Sequence, residues 1–198
     1  MAVLSEKRAA LAFVVIEVAI LTTYFVGFIL PSWTVVTEDT WREVGRASMG
    51  IWSACGFSHD IDLLAGDFYQ DECISLLEVG VPGWVRATQA FAVLGLFFGV
   101  VCVVLSLVMA LGPWDEDTIF KVFLPIWYIG GFCMLVTIII YGASLPPRER
   151  EVPRRSIGSE YTLTTIRWKF RTGFVLETIA ACLWNAFGFV FLCAICCT

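Results

Sequence analysis

Charge is scarce in this chain, and the usual machinery of chemistry is missing. Only 16% of its residues are Asp, Glu, Lys or Arg, against about 25% in an average soluble domain. There is one histidine, His59, so no metal or acid–base site can be built from paired histidines. No glycine-rich phosphate loop and no nucleophile–base pair stands out. Asp60-x-Asp62 is not a calcium loop, because Leu64 occupies the next ligand position. The net charge is −5, and no basic patch interleaves with aromatics, so a nucleic-acid partner is not expected. No small-residue cleavage site follows a short apolar core, so no cleaved signal peptide is expected. These absences point to a non-enzyme with no cofactor and no bound metal.

What is abundant is apolar length. The chain has 198 residues, and 59% of them are hydrophobic. Four runs, at about 9–30, 87–111, 122–143 and 173–195, are long enough to cross about 30 Å of hydrocarbon. In lipid a helix is the open-ended way to satisfy backbone polar groups. The expected fold is therefore an all-α four-helix transmembrane bundle forming one domain, residues 1–198. Four spans put both termini on one side. Lys7 and Arg8 before the first span, with Glu38 and Asp39 after it, place the N-terminus inside. Total Lys and Arg points the other way, through seven bases between the third and fourth spans. The first span and the need for an oxidising side decide for cytoplasmic termini and a plasma-membrane location.

The outer loops are then residues 31–85 and 144–172. Cys55 and Cys73 are the only cysteines outside the apolar runs, and they read as a disulfide. Closing that loop stabilises the fold by roughly 3 kcal/mol in the chain-entropy model. Residues 33–36 and 48–55 are rich enough in β-branched and aromatic residues to form strands of a small antiparallel sheet. A short amphipathic helix is expected at Ile61 to Leu64. The first loop sets two bases against nine acids, a net of −7, while the second sets seven bases against three acids, a net of +4. Opposite signs suit two solvated loops, or mutual attraction within one copy or between copies.

Pro31-x-Trp33, Gly50-x-Trp52-x-x-Cys55, Cys73, and then Pro82-Gly83-Trp84-Val85-Arg86-Ala87 carry a resemblance. They resemble the W…GLW…C…C signature and second-span entry of the claudin, peripheral myelin protein and epithelial membrane protein superfamily. Ile51 replaces the usual Leu, seventeen residues separate the cysteines, and Gln89 stands where claudins usually carry Arg. The resemblance implies a four-span fold with an extracellular sheet. It also implies a protein of cell–cell contacts: adhesion and a paracellular barrier or ion-selective path, with membrane lipid and homo-oligomers or related claudin-like chains in cis and trans. The alternative it allows is an auxiliary subunit of an ion channel or receptor. In the pore reading Glu38, Asp39 and Glu43 set charge preference, because a sheet holds charges in place. The chain stops at Cys-Cys-Thr, without the tail that carries a claudin's PDZ ligand.

Two acids lie inside the apolar runs, Glu17 and Glu177. Such residues call for a functional hypothesis. They differ in depth by about 12 Å at 1.5 Å per residue, so direct pairing is not expected. Glu177 is expected to reach the outer headgroups or Gln89, and Glu17 to be protonated and hydrogen-bonded within the bundle. Gly95-x-x-x-Gly99 reads as a close-packing seam within the chain or as a dimer face. Cys193-x-x-Cys196 lies about one membrane thickness from the loop pair, too far for thiol exchange. Cys196 and Cys197 are candidates for S-acylation.

Overall fold

The four apolar runs are helices. In the computed structural model α1 is Ala2–Ile29, α2 Gly83–Leu111, α3 Glu116–Ser144 and α4 Thr172–Cys196. The structure describes residues 2–39, 44–55, 73–77, 81–111, 116–145, 149–155 and 161–196. The shortest helix has 25 residues, or about 38 Å at 1.5 Å each, enough to cross the hydrocarbon. Four segments have the length and composition of membrane spans: Leu11–Ile29, Gly83–Leu111, Lys121–Ser144 and Thr172–Val190. Bulky apolar side chains such as Val15, Phe97, Phe132 and Phe189 are exposed on their surfaces, as lipid-facing positions require. Pro125 lies inside α3, where a membrane helix tolerates it.

The chain divides into two compact units. One comprises Met1–Val26, Ala90–Ile139 and Leu176–Thr198. Its core is built from Ile20, Tyr24, Cys102, Phe123, Trp127, Met134, Ala180, Ala181 and Trp184. Trp127 of α3 and Trp184 of α4 stack with centroids 4.2 Å apart. The Trp184 indole N–H donates to the Trp127 carbonyl at 3.2 Å. Asn185 donates to the Gly131 carbonyl at 3.2 Å, a second polar tie between α3 and α4. The small residues of α2 face inward. A Cβ on Gly95 would meet Met134 Cγ at 2.9 Å, and one on Gly99 would meet Leu21 Cδ1 at 2.6 Å. This stretch of α2 therefore packs against α1 and α3 of its own chain.

The other unit comprises Gly27–Gln89 and Ile140–Val175. It holds a six-stranded antiparallel sheet in the order β4-β3-β2-β1-β6-β5. The strands are β1 Thr34–Asp39, β2 Val44–Met49, β3 Ser53–Cys55, β4 Cys73–Ser75, β5 Glu149–Arg155 and β6 Tyr161–Phe170. The sheet is larger than the sequence reading, which placed strands in the first loop alone. Residues 161–170 read Tyr-Thr-Leu-Thr-Thr-Ile-Arg-Trp-Lys-Phe, a run of β-branched and aromatic residues that favours a strand. β6 pairs with β1, Thr34 opposite Phe170 and Asp39 opposite Thr165. The two loops thus form one sheet. The helix expected at Ile61 to Leu64 lies outside the described residues.

Alternation gives the sheet two unlike faces. One row runs Phe170–Thr34–Met49–Ala54–Ile74 across five strands. Thr34, Met49 and Ala54 in that row are buried. The adjacent row runs Lys169–Val35–Ser48–Cys55–Cys73 and belongs to the opposite face. Lys169 and Cys73 there are exposed.

Candidate functional site

The motif residues converge on the base of the sheet. Trp33 is fully buried, and its indole N–H donates to the Gly27 carbonyl at 2.8 Å. Its ring meets Tyr141 edge-on at 4.8 Å. Its backbone N–H donates to the Met49 carbonyl at 3.0 Å, and its own carbonyl accepts from Arg171 N–H at 2.8 Å. One tryptophan therefore ties the end of α1 to β2 and to the exit of β6. Gly50 follows β2 and packs against the chain just after α1. A Cβ there would meet the Leu30 carbonyl oxygen and Pro31 Cα, both at 2.9 Å. The glycine serves this close backbone approach.

Ile51 is buried, and its carbonyl accepts from the Gln89 side-chain amide at 2.7 Å. The Trp52 carbonyl accepts from Leu76 N–H at 2.8 Å, which binds the turn to the segment after β4. Arg86 donates to the Leu77 carbonyl at 2.9 Å and to Gln89 Oε1 at 3.3 Å. Trp52 is half-buried and meets Phe28 edge-on at 5.0 Å. Its indole N–H finds no hydrogen-bond partner among the described residues. Cys55 and Cys73 stand directly opposite each other on β3 and β4 and are joined by a disulfide, with Cα atoms 4.1 Å apart.

Glu38 and Asp39 are the last two residues of β1. Glu38 lies between Gly45 and Ile166, and Asp39 between Val44 and Thr165. Glu43 lies outside the described residues, as do the side chains of Glu38 and Asp39. Cys196 is the last residue of α4, its side chain not described, and Cys197 lies outside the described residues.

Glu17 and Glu177 are both fully buried. Glu177 does not turn to the headgroups. It faces Tyr24 of α1, two turns along from Glu17 on the same side of that helix. Gln89 is engaged elsewhere, by Ile51 and Arg86. The sequence placed Glu177 near the outer end of its span, but only helix packing reveals which way it turns. Glu17 faces Ser106 of α2. No oxygen of Glu17, Glu177 or Ser106 has a hydrogen-bond partner in place among the described residues. Ser106, Tyr24 and Tyr141 were not singled out by sequence reasoning, since each looks like an ordinary residue of an apolar run. No group of three His, Cys, Asp or Glu side chains able to hold a metal gathers among the described residues.

A family model described as lipoma HMGIC fusion partner-like protein, a tetraspan family, matches residues 9–192. No claudin family matches, which overturns the claudin resemblance. The reason lies in what the shared residues do. Trp33 is buried, Gly50 permits a close backbone approach, and the disulfide joins β3 to β4. Ile51, Gln89 and the seventeen-residue cysteine spacing were the points of departure, and Ile51 and Gln89 are partners in one hydrogen bond. No curated protein matches the chain.

Proposed function

This chain belongs to the lipoma HMGIC fusion partner-like family of four-span membrane proteins, and on that premise we propose that it acts as a non-enzymatic auxiliary subunit. It associates within the membrane with a different multi-pass protein, a channel or receptor, and supports that partner through its sheet and lipid-facing helices. The sheet lies outside the cell, where disulfides persist. Both termini are cytoplasmic, as Lys7 and Arg8 before the first span favour.

The observation that carries this reading is the chemistry of the sheet's edges. β5 reads Glu-Arg-Glu-Val-Pro-Arg-Arg, five charges and a proline in seven residues. Charges and proline on an edge strand deter addition of another strand, since proline has no N–H to give. The opposite edge, β4, has only three residues and is stapled by the disulfide. Neither edge suits strand-by-strand polymerisation with copies of the same chain. Within the second loop, Glu149 stands opposite Arg167, so part of that loop's charge is matched in its own hairpin.

The test is site-specific photocrosslinking in intact cells from position 170, the exposed end of β6, replaced by benzoylphenylalanine. Differently tagged copies are expressed in separate, co-cultured cells and together in one cell. The expected product joins the chain to a different multi-pass protein of the same cell. Products joining copies across cells would overturn this reading in favour of adhesion, and products joining copies within one cell in favour of self-assembly.

A further inference from the structure

α1 and α2 meet along one antiparallel seam, and an acid lies in it. Tyr24 is opposite Gly95, Leu21 is opposite Gly99, and Glu17 is opposite Cys102 and Ser106. On α2 these positions recur at intervals of four, three and four, one face of a helix. The absence of side chains at Gly95 and Gly99 leaves room for Tyr24 and Leu21, which close the seam on the side of the acid toward the C-terminal end of α1. Toward the N-terminal end, Phe13 lies one turn before Glu17 on the same face. It packs on Phe123 at 6.3 Å, Trp127 at 5.8 Å and Phe187 at 5.0 Å, an aromatic layer across α1, α3 and α4. Toward the other end, Leu21 and Tyr24 fill the seam.

Glu17 has no surface exposure, and Ser106 has 3%. Neither carboxylate oxygen of Glu17 has a hydrogen-bond partner among the described residues, and neither does Ser106 Oγ, which faces it. The other titratable group against Glu17 is the Cys102 thiol, also of α2. No Lys, Arg or His lies within residues 9–30, and α2 beyond Arg86 has none either. An isolated carboxylate in such a place neutralises rather than staying charged. A hard metal cation would need about six to eight oxygens, and three are gathered here. A proton needs one.

We propose that Glu17 is a proton-binding site of the membrane core, which holds its proton at neutral pH and donates it in a hydrogen bond to Ser106 Oγ. A neutral Glu17 lets α1 and α2 close along Gly95 and Gly99. An ionised Glu17 would draw water or a cation into the seam and part the two helices. The proton thus couples the packing of the first two spans to proton availability. This site goes beyond the auxiliary-subunit reading and does not depend on which partner the chain binds.

The test is infrared spectroscopy of the full-length protein in phosphatidylcholine vesicles, with Glu177→Gln as background so that Glu17 is the remaining acid of the spans. Loop acids absorb as carboxylates at neutral pH, so a carbonyl band of a protonated carboxylic acid reports Glu17. That band is expected at neutral pH and is lost in the Glu17→Gln/Glu177→Gln protein. Adding Ser106→Ala to the Glu177→Gln background shifts the band to higher frequency, because its hydrogen bond is gone. A Glu177→Gln protein with carboxylate absorption alone overturns the proposal. A band that Ser106→Ala leaves in place overturns the pairing with Ser106. Should the double glutamine variant fail to fold, the Ser106→Ala shift still identifies the absorbing group.

Discussion

Thr34 and Tyr141 stand 107 residues apart in the chain and share a buried hydrogen bond of 2.7 Å. Thr34 opens β1, and Tyr141 lies in the last turn of α3. The same phenol also donates to the Met49 carbonyl at 3.3 Å. This one hydroxyl serves a strand from each side of the β1–β2 pairing.

Tyr141→Phe should therefore destabilise the sheet base by about 1–3 kcal/mol, the cost of leaving buried polar groups unmet. Thr34→Val alone should cost less, because it removes a polar group instead of stranding one. The double variant should be less unstable than the two single effects combined, since contacting residues couple. Thermal unfolding of the four proteins in detergent measures the coupling. Strict additivity would mean that the hydroxyls do not meet.

Gly50→Ala should be costly for its size. The added methyl meets backbone atoms on two residues at 2.9 Å, and backbone cannot swing aside as a side chain can. A loss of about 1–3 kcal/mol is expected, as for overpacking in a core. Reduced delivery to the cell surface, scored by surface biotinylation, is the readout. Gly83→Ala is the control, because nothing lies within 4 Å of a Cβ there.

Non-reducing peptide mapping of protein taken from the cell surface should recover Cys55 linked to Cys73. Replacing both by Ala should lower stability by roughly 3 kcal/mol in the chain-entropy model. A membrane-impermeant reductant applied to intact cells should open the bond, since the sheet is expected outside. Resistance to it until the membrane is permeabilised would reverse the orientation.

Neutralising Glu38, Asp39 and Glu43 should leave cation–anion preference unchanged across an epithelial layer that expresses the chain. An auxiliary subunit lines no paracellular path, so its acids set no charge preference there. Dilution potentials give the measurement. A preference that the triple variant abolishes would restore a paracellular role.

The four spans were legible because each is a long apolar run, and lipid leaves the backbone few alternatives to a helix. The Cys55–Cys73 staple was legible because no other cysteine lies in a polar stretch. β6 escaped, although its Thr, Ile, Tyr and Trp were in view, because the bases among them read as a solvated loop. Its partner β1 lies more than a hundred residues earlier, and no local pattern records that pairing. The same is true of Thr34 with Tyr141 and of Glu17 with Ser106. Each pair is set by how helices rotate and where chains cross, and apolar helices that are hydrophobic on all sides do not announce which side turns inward.

The pairing of β1 with β6 also orders events in time. β1 leaves the ribosome at residues 34–39, and its neighbour follows only at residues 165–170. At about 5–20 residues per second, the wait is on the order of ten seconds. Through that interval β1 has β2 to pair with on one flank and no β6 yet on the other, while two further spans, α2 and α3, are made. Contacts this distant in sequence form late. The nascent protein therefore presents a bare strand that its finished form never shows. A chain cut short before Tyr161 lacks that partner altogether.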